Sequence, residues 1–307
     1  MSRARGLLGR FQKRVGNAVD ATGAEREATP GKALTSDVRH VLEALNKLSP
    51  NKQVNVYEQW PGPQFTLDHG VTVTARSTKE RRRFTRPIDA AMLAWLGGLA
   101  AGDVFYDVGA NCGSLTLAAG AMHGDGVKIV AIEPGYANFE SLARNLSHNG
   151  MLGFVVPLQV ALLDRTGLEP INYYRSTAAG TSLHAVGRPL DHEDNEFTPV
   201  ETQMVPAYAL DDLIDLLKLP EPTHVKVDVD GTEGPLLLGA TKTLARGAIE
   251  ELLVEIVDHD RAGTRLSGVR TLLERHGYEP EETFRHNAED SESFVADHLF
   301  RRHRGSR

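Results

Sequence analysis

Between residues 104 and 256 the chain repeats one pattern. Short runs rich in β-branched and other apolar residues, at Val104–Val108, Lys128–Ile132, 155–160, 224–229 and 251–256, alternate with longer helical or loop segments, notably 138–149 and 233–245. Strands separated by helices cannot pair through tight hairpins, so the chain must recross the sheet by right-handed connections that make neighbouring strands parallel. The pattern therefore predicts an α/β fold, a doubly wound and mostly parallel sheet. A helix over 88–99 after Pro87 leads through Gly102 into the first strand, and Gly277-Tyr278 and Asp297-His-Leu-Phe300 read as two closing strands. With 307 residues, 41% of them hydrophobic, the chain has enough apolar surface to bury a sizeable core.

Ahead of the repeat the sequence changes character. Residues 1–15 place Leu7, Leu8, Phe11 and Val15 at helical spacing among Arg3, Arg5, Arg10, Lys13 and Arg14, a basic amphipathic stretch suited to peripheral contact with an anionic membrane or to docking on its own domain. Residues 17–31 have the composition of a linker, 36–48 the spacing of a helix behind Ser36, and 65–74 the alternation of a hairpin around His69-Gly70. The expected organisation is a basic segment and linker over 1–33, a helical and β extension over 34–85, and the main domain over 86–303. Residues 173–206 read as a long polar, irregular loop, a length that in compact domains marks a lid or insertion. A net charge of −7 provides no cationic field for nucleic acid. The single cysteine, Cys112, forms no internal disulfide, no Cys/His cluster has zinc spacing, and no apolar run reaches membrane-spanning length. The expectation is a soluble, cytoplasmic protein without a structural metal; the sequence does not speak to its oligomeric state.

The turn after the first strand, Asp107-Val-Gly-Ala-Asn-Cys-Gly113, carries the chemistry. Gly109 frees the backbone for positive φ, Gly113 lets the next helix start close to a ligand, and the amides between them, Asn111 included, face a polar group. The spacing is Gly-x-x-x-Gly, without the third glycine that a dinucleotide pyrophosphate needs and without a Walker lysine. An adenosine without a phosphate chain suits it, although an ordinary strand-to-helix turn has the same glycines. Glu133 follows Asp107 by 26 positions (133 − 107) at the end of the second strand, near the offset of about 20 at which an acid accepts ribose hydroxyls. Pro134 then turns the chain across the crevice.

These segments resemble the FkbM family of class I S-adenosylmethionine (SAM)-dependent methyltransferases. The family's Asp-Val-Gly-Ala-Asn-x-Gly stands at 107–113, its acidic-Pro pair at Glu133-Pro134, and its Phe-x-x-Leu-x-x-Asn-x-x-x-Asn-Gly at Phe139, Leu142, Asn145, Asn149 and Gly150. Farther on, Leu210-Asp211-Asp212-Leu213 and Lys226-Val-Asp228-Val-Asp230-Gly231-Thr-Glu233 match two more elements, with Asp230 in place of the usual Glu, and Gly180-Thr-Ser182-Leu183 echoes a short Ser-Leu element. The resemblance covers residues 86–300. It implies a Rossmann-like sheet of seven strands with the last antiparallel, SAM as cofactor, and cofactor contacts at Asp107, Gly109, Asn111, Gly113, Glu133, Pro134 and Ala161.

Ligands of such sheets sit beyond the carboxyl ends of the strands. Asp228, Glu233 and His259 are thus the candidates, in that order, for the base that takes a proton from an acceptor alcohol; Glu233 equally suits a carboxylate at a helix N-terminus. Cys112 reads as a packing residue. Asp228-x-Asp230 lacks the glycine of a calcium loop, whereas a magnesium site built with Glu255 stays open. No Asn-Pro-Pro-Tyr or Asp-Pro-Pro-Tyr motif of base-modifying amino methyltransferases occurs, which favours oxygen as acceptor atom. The expected activity is O-methylation of a hydroxyl on a sugar, glycolipid or secondary metabolite. Two rivals are a nicotinamide-dependent oxidoreductase and a non-catalytic scaffold of the same fold at a membrane.

Overall fold

The structure is a computed structural model, and it describes residues 47, 49, 63–182, 184–190, 195–258, 264–285 and 294–303. The basic segment 1–15, the linker expected at 17–31, the helix expected at 36–48 apart from residue 47, and His259 lie outside these residues. By contacts the chain divides into two compact units, Met1–Phe65 and Thr66–Arg307, and nearly all described residues belong to the second.

Strands β1 (Gln64–Thr66) and β2 (Thr72–Thr74) flank a turn closed by the Leu67 N–H on the Val71 carbonyl, as the 65–74 alternation predicts. Helix α1 (Thr78–Thr85) is capped by Ser77, whose Oγ accepts from the Glu80 N–H at 3.0 Å. Helix α2 (Ala90–Gly97) starts behind Asp89, whose carboxylate accepts from the Ala91 N–H. There follow β3 (Val104–Val108), α3 (Ser114–His123), β4 (Lys128–Ile132), α4 (Tyr136–His148) and β5 (Val155–Leu158). Four further strands come next, β6 (Ala161–Leu163), β7 (Gly167–Tyr173), β8 (His184–Val186) and β9 (Glu201–Ala209). The chain closes with α5 (Leu210–Leu217), β10 (His224–Val227), α6 (Glu233–Leu238), α7 (Thr241–Arg246), β11 (Glu251–Asp258), α8 (Thr264–Arg275), β12 (Tyr278–Arg285) and β13 (Phe294–Arg302).

The main sheet is mixed and has seven strands in the order β12-β13-β11-β10-β3-β4-β5. Pairing is parallel from β11 through β5, and β13 runs antiparallel to both of its neighbours. The centre is buried on both sides, which is why β3 reads as an unbroken Val-Phe-Tyr-Asp-Val and not as an alternation. Along it, Val104, Tyr106 and Val108 join Val225, Val227, Leu252 and Val254 in a cluster with Leu213 of α5, Leu237 of α6, Leu244 of α7 and Leu273 of α8. On the strands' other side Leu253 and Leu299 pack with Met92 and Trp95 of α2 and Leu115 of α3. Helices thus meet different residues of the same strands.

A second sheet, β6-β9-β7-β8, has four strands. Residues 173, 184–186 and 201–206 of the segment expected to be an irregular loop belong to it, and the described residues between them are outside named strands. β9 alternates exposed and buried residues with Val205 and Ala207 inside, a period of two. The segment 233–245, expected to be helical or loop, holds the two short helices α6 and α7. At Gly239 between them a side chain's Cβ would stand 2.0 Å from the Leu163 carbonyl oxygen, so the backbones meet there without room for one. No helix among the described residues is long and apolar enough to cross a membrane.

Candidate functional site

Parallel register brings the carboxyl ends of three central strands level. The Asp228 N–H donates to the Val108 carbonyl, Gly109 and Ala110 donate to Ile132, and Glu133 donates to Leu158. Gly109, Glu133 and Asp228 consequently edge one cleft. Its walls include Asn111, Pro134, Ala161, Asp230 and the apolar Ile132, Val160, Leu162, Ile171 and Val186.

Gly109 has φ +85°, and a Cβ there would lie 1.7 Å from the Asp228 carbonyl oxygen. Only a bare backbone fits. Gly113, also at positive φ, would meet Leu142 of α4 at 2.5 Å, so its glycine serves helix packing and it is not part of the cleft wall. Asn111, at φ 51°, donates its N–H to Glu133 Oε2 at 2.8 Å and its side-chain amide to the Thr181 carbonyl at 3.0 Å. Glu133 Oε1 accepts from the Gly135 N–H at 2.9 Å and from Asn138 Nδ2 at 3.3 Å. Burial pushes the Glu133 pKa up to about 7, against those three hydrogen bonds and with a smaller upward push from Asp228. Oε2 holds a single donor and retains acceptor capacity.

Asp107 lies beneath the turn. It is 2% exposed, accepts from Thr116 Oγ1 of α3 at 2.5 Å, and burial raises its pKa to about 6. It clamps the strand to the helix and does not line the cleft. Cys112 is buried and its thiol is pushed up to about 12 by burial, in keeping with packing.

At the β10 end Asp228 faces the cleft with its side chain 40% exposed. Behind it is the buried Lys226, whose Nζ is 3.7 Å from Asp228, 3.1 Å from Asp297 and 4.0 Å from Glu255. Burial alone would discharge this ammonium, but the three carboxylates outweigh it and its pKa is raised. Glu255 is shifted upward by burial and by Asp228. A lysine thus occupies the middle of the carboxylate group, and no cluster of three or more potential metal ligands is present among the described residues. Glu233 turns away: its Oε1 accepts from the Gly231 N–H at 2.9 Å at the start of α6, and it is not among the cleft residues.

The far wall comes from the segment before β8. The Gly180 N–H donates to Asn138 Oδ1 at 2.9 Å, Asn138 Nδ2 reaches the Thr181 carbonyl at 3.2 Å, and Ser77 Oγ donates to the Ala179 carbonyl at 3.1 Å. His184 also lines the cleft, edge-on to Tyr173 at 4.5 Å. Its pKa falls to about 4, mainly by burial with Arg83 and Lys79 adding to it, and its Nδ1 has no hydrogen-bond partner. Local spacing carries no signal for Arg83, Asn138, His184 or Asp297, which register and α1 bring to these positions.

The profile of the Methyltransferase FkbM domain matches residues 107–280. Hexuronic acid methyltransferase AglP of Haloferax volcanii is 28% identical over 56% of this chain and 61% of its own length, so the match leaves more than a third of AglP uncovered. The 31-O-demethyl-FK506 methyltransferase FkbM of Streptomyces tacrolimicus is 27% identical over 69% of this chain and 87% of its own. Among solved structures, methyltransferase FkbM from Methylobacillus flagellatus superposes with a TM-score of 0.43 at 17% identity, covering 66% of this chain and 44% of that one.

Proposed function

Because the chain belongs to the FkbM methyltransferase family, we propose that it is a SAM-dependent O-methyltransferase built on a doubly wound class I sheet, acting on a hydroxyl of a sugar, glycolipid or secondary metabolite. The observation that supports this most is the alignment of Gly109, Glu133 and Asp228 along one cleft. Two relatives named for a hexuronic acid and for 31-O-demethyl-FK506 support a small-molecule or glycan acceptor here.

The residues fit an adenosine-bearing cofactor. Glu133 Oε2 offers a carboxylate lone pair for a ribose hydroxyl, Gly109 leaves the backbone open, and Ile132, Pro134, Val160, Ala161 and Leu162 offer an apolar wall for an adenine. Asn111 shapes the turn through its amides. With the segment at 178–182 seated, free volume in the cleft is about 80 Å³, room for a handful of water molecules. SAM, when bound, supplies a methyl group made electrophilic by its sulfonium.

Asp228 is the group placed to accept the acceptor's hydroxyl proton: it faces the cleft, and the ammonium of Lys226 fixes its position from behind. Asp107 and Gly113 support the turn from below, and Glu233 braces the start of α6. His259 remains a candidate by its place after β11. The experiment is incubation of the enzyme and SAM with extracts of its host cells, following S-adenosylhomocysteine and any product heavier by one methylene. Asp228→Asn should retain SAM affinity and lose about a hundredfold in turnover. Full activity in that variant would remove Asp228 from its role.

A further inference from the structure

Beside the cleft is a second concavity of about 810 Å³, a size typical of small-molecule sites. Two separate segments line it. Helix α1 and the residue after it contribute Lys79, Arg82, Arg83 and Arg86, and the turn after β7 contributes Arg175 beside Tyr174. No acidic residue is among the lining residues, and none of the five cations has a carboxylate within ion-pair distance among the described residues. The chain as a whole is acidic, with 41 Asp and Glu against 34 Lys and Arg, so this local excess does not follow from composition.

Folding accounts for only part of it: Arg83 Nε donates to the Gly180 carbonyl at 3.4 Å. Arg82 and Arg83 suit the last turn of α1, where cations complement the helix dipole, but Lys79 stands in the first turn, where a cation opposes it. Arg175 approaches from another segment, so like charges converge at a cost that an anion would relieve. Tyr174 lines the concavity as well, with the Arg175 guanidinium over its ring at 4.9 Å and Phe197 edge-on at 4.8 Å, which holds Arg175 at the wall. Arg83, Thr181 and Ser182 line both this concavity and the cofactor cleft. The lowered pKa of His184, to which Arg83 and Lys79 contribute, registers the same positive field inside the cleft.

We infer that this basic concavity is the acceptor site and that the acceptor is an anionic sugar, its carboxylate or phosphate held by Lys79, Arg82, Arg86 and Arg175 while a hydroxyl reaches past Arg83 toward Asp228. The inference rests on reading the adjoining cleft as the methyl-donor site. Guanidinium forks bind either oxyanion in bidentate fashion.

The test is calorimetric titration of the full chain, with and without S-adenosylhomocysteine, using D-glucuronate, D-glucose 6-phosphate and neutral D-glucose. At least one acidic sugar should bind ten times or more tighter than glucose. That preference should disappear in the exposed double variant Arg82→Glu/Arg86→Glu, whose S-adenosylhomocysteine affinity should stay within about twofold of wild type. Tight binding of glucuronate alone selects a carboxylate, and of the phosphate ester alone a phosphate; either supports the site. Equal binding of all three sugars, no binding of any, or undiminished acidic-sugar binding in the double variant overturns it. Loss of S-adenosylhomocysteine binding with the acidic-sugar preference intact would refute the cofactor reading and leave the anion site standing.

Discussion

Two carboxylates at the ends of adjacent strands, Asp107 and Glu133, are both buried and both raised in pKa, yet only Glu133 opens on the cleft. Asp107 spends its hydrogen bond on Thr116, whereas Glu133 keeps an acceptor position for a ligand. Since a protonated Glu133 is a poorer acceptor, S-adenosylhomocysteine affinity should fall as pH drops through about 7, by roughly tenfold between pH 8 and pH 6. Glu133→Gln should bind about tenfold more weakly at pH 8 and lose that dependence. Calorimetry over this range reads both effects, and a wild-type affinity indifferent to pH would detach Glu133 from the cofactor. Lys226 is a further distinction that geometry makes: wholly buried and hemmed by Asp228, Asp297 and Glu255, it positions a carboxylate and is no nucleophile.

Among the elements, α4 shows how much of a motif can be structural. Asn145 and Asn149 stand one helical turn apart and bind the backbone of β2 as a neighbouring strand would. Asn145 accepts from the Thr74 N–H at 2.7 Å, and Asn149 accepts from the Thr72 N–H at 3.1 Å and donates to its carbonyl at 2.7 Å. In the same way Asp211 accepts from the Thr243 and Lys242 N–H groups and caps α7. The motif residues were legible in the sequence, but these partners were not, because each pairs segments more than thirty residues apart. Helix α1 was illegible for a different reason: Thr-Lys-Glu-Arg-Arg-Arg-Phe-Thr buries little besides Phe84 and Glu80, so no apolar stripe announces it. It is held instead by Glu80, 1% exposed, which bonds Ser141 Oγ at 2.5 Å and pairs with Arg144 of α4. Glu80→Ala should therefore cost about 3 kcal/mol by leaving Arg144 without its buried partner. Urea unfolding of the single and the Glu80→Ala/Arg144→Ala double variant measures it, and strictly additive losses would show that the pair is not coupled.

For the molecule as a whole, the alternation of strands and helices was the most readable feature, since a buried parallel sheet forces apolar runs at regular spacing. The second sheet was hidden because β6 and β8 have three residues each, too few to show a period. Burying carboxylates at the sheet's centre has a global consequence. Asp107 and Glu133 have folded pKa values of about 6 and 7, above their ordinary 3.8 and 4.5, so between pH 4 and 7 the unfolded chain releases protons that the folded chain retains. The stability these two groups confer is complete below pH 4 and declines as pH rises to about 7, with a slope of roughly 1.4 kcal/mol per pH unit for each group in its window. In Asp107→Asn/Glu133→Gln the melting temperature should vary less with pH over this interval, and an unchanged profile would count against the burial cost assigned to them.

The central claim is that Gly109, Glu133 and the strand ends beside them hold SAM. Titrating the full chain with SAM and, in parallel, with NAD in a calorimeter addresses it most directly. One SAM should bind per chain, weakened about tenfold by Glu133→Gln, with no heat of binding from NAD; absence of SAM binding, or binding of NAD in its place, would contradict this assignment.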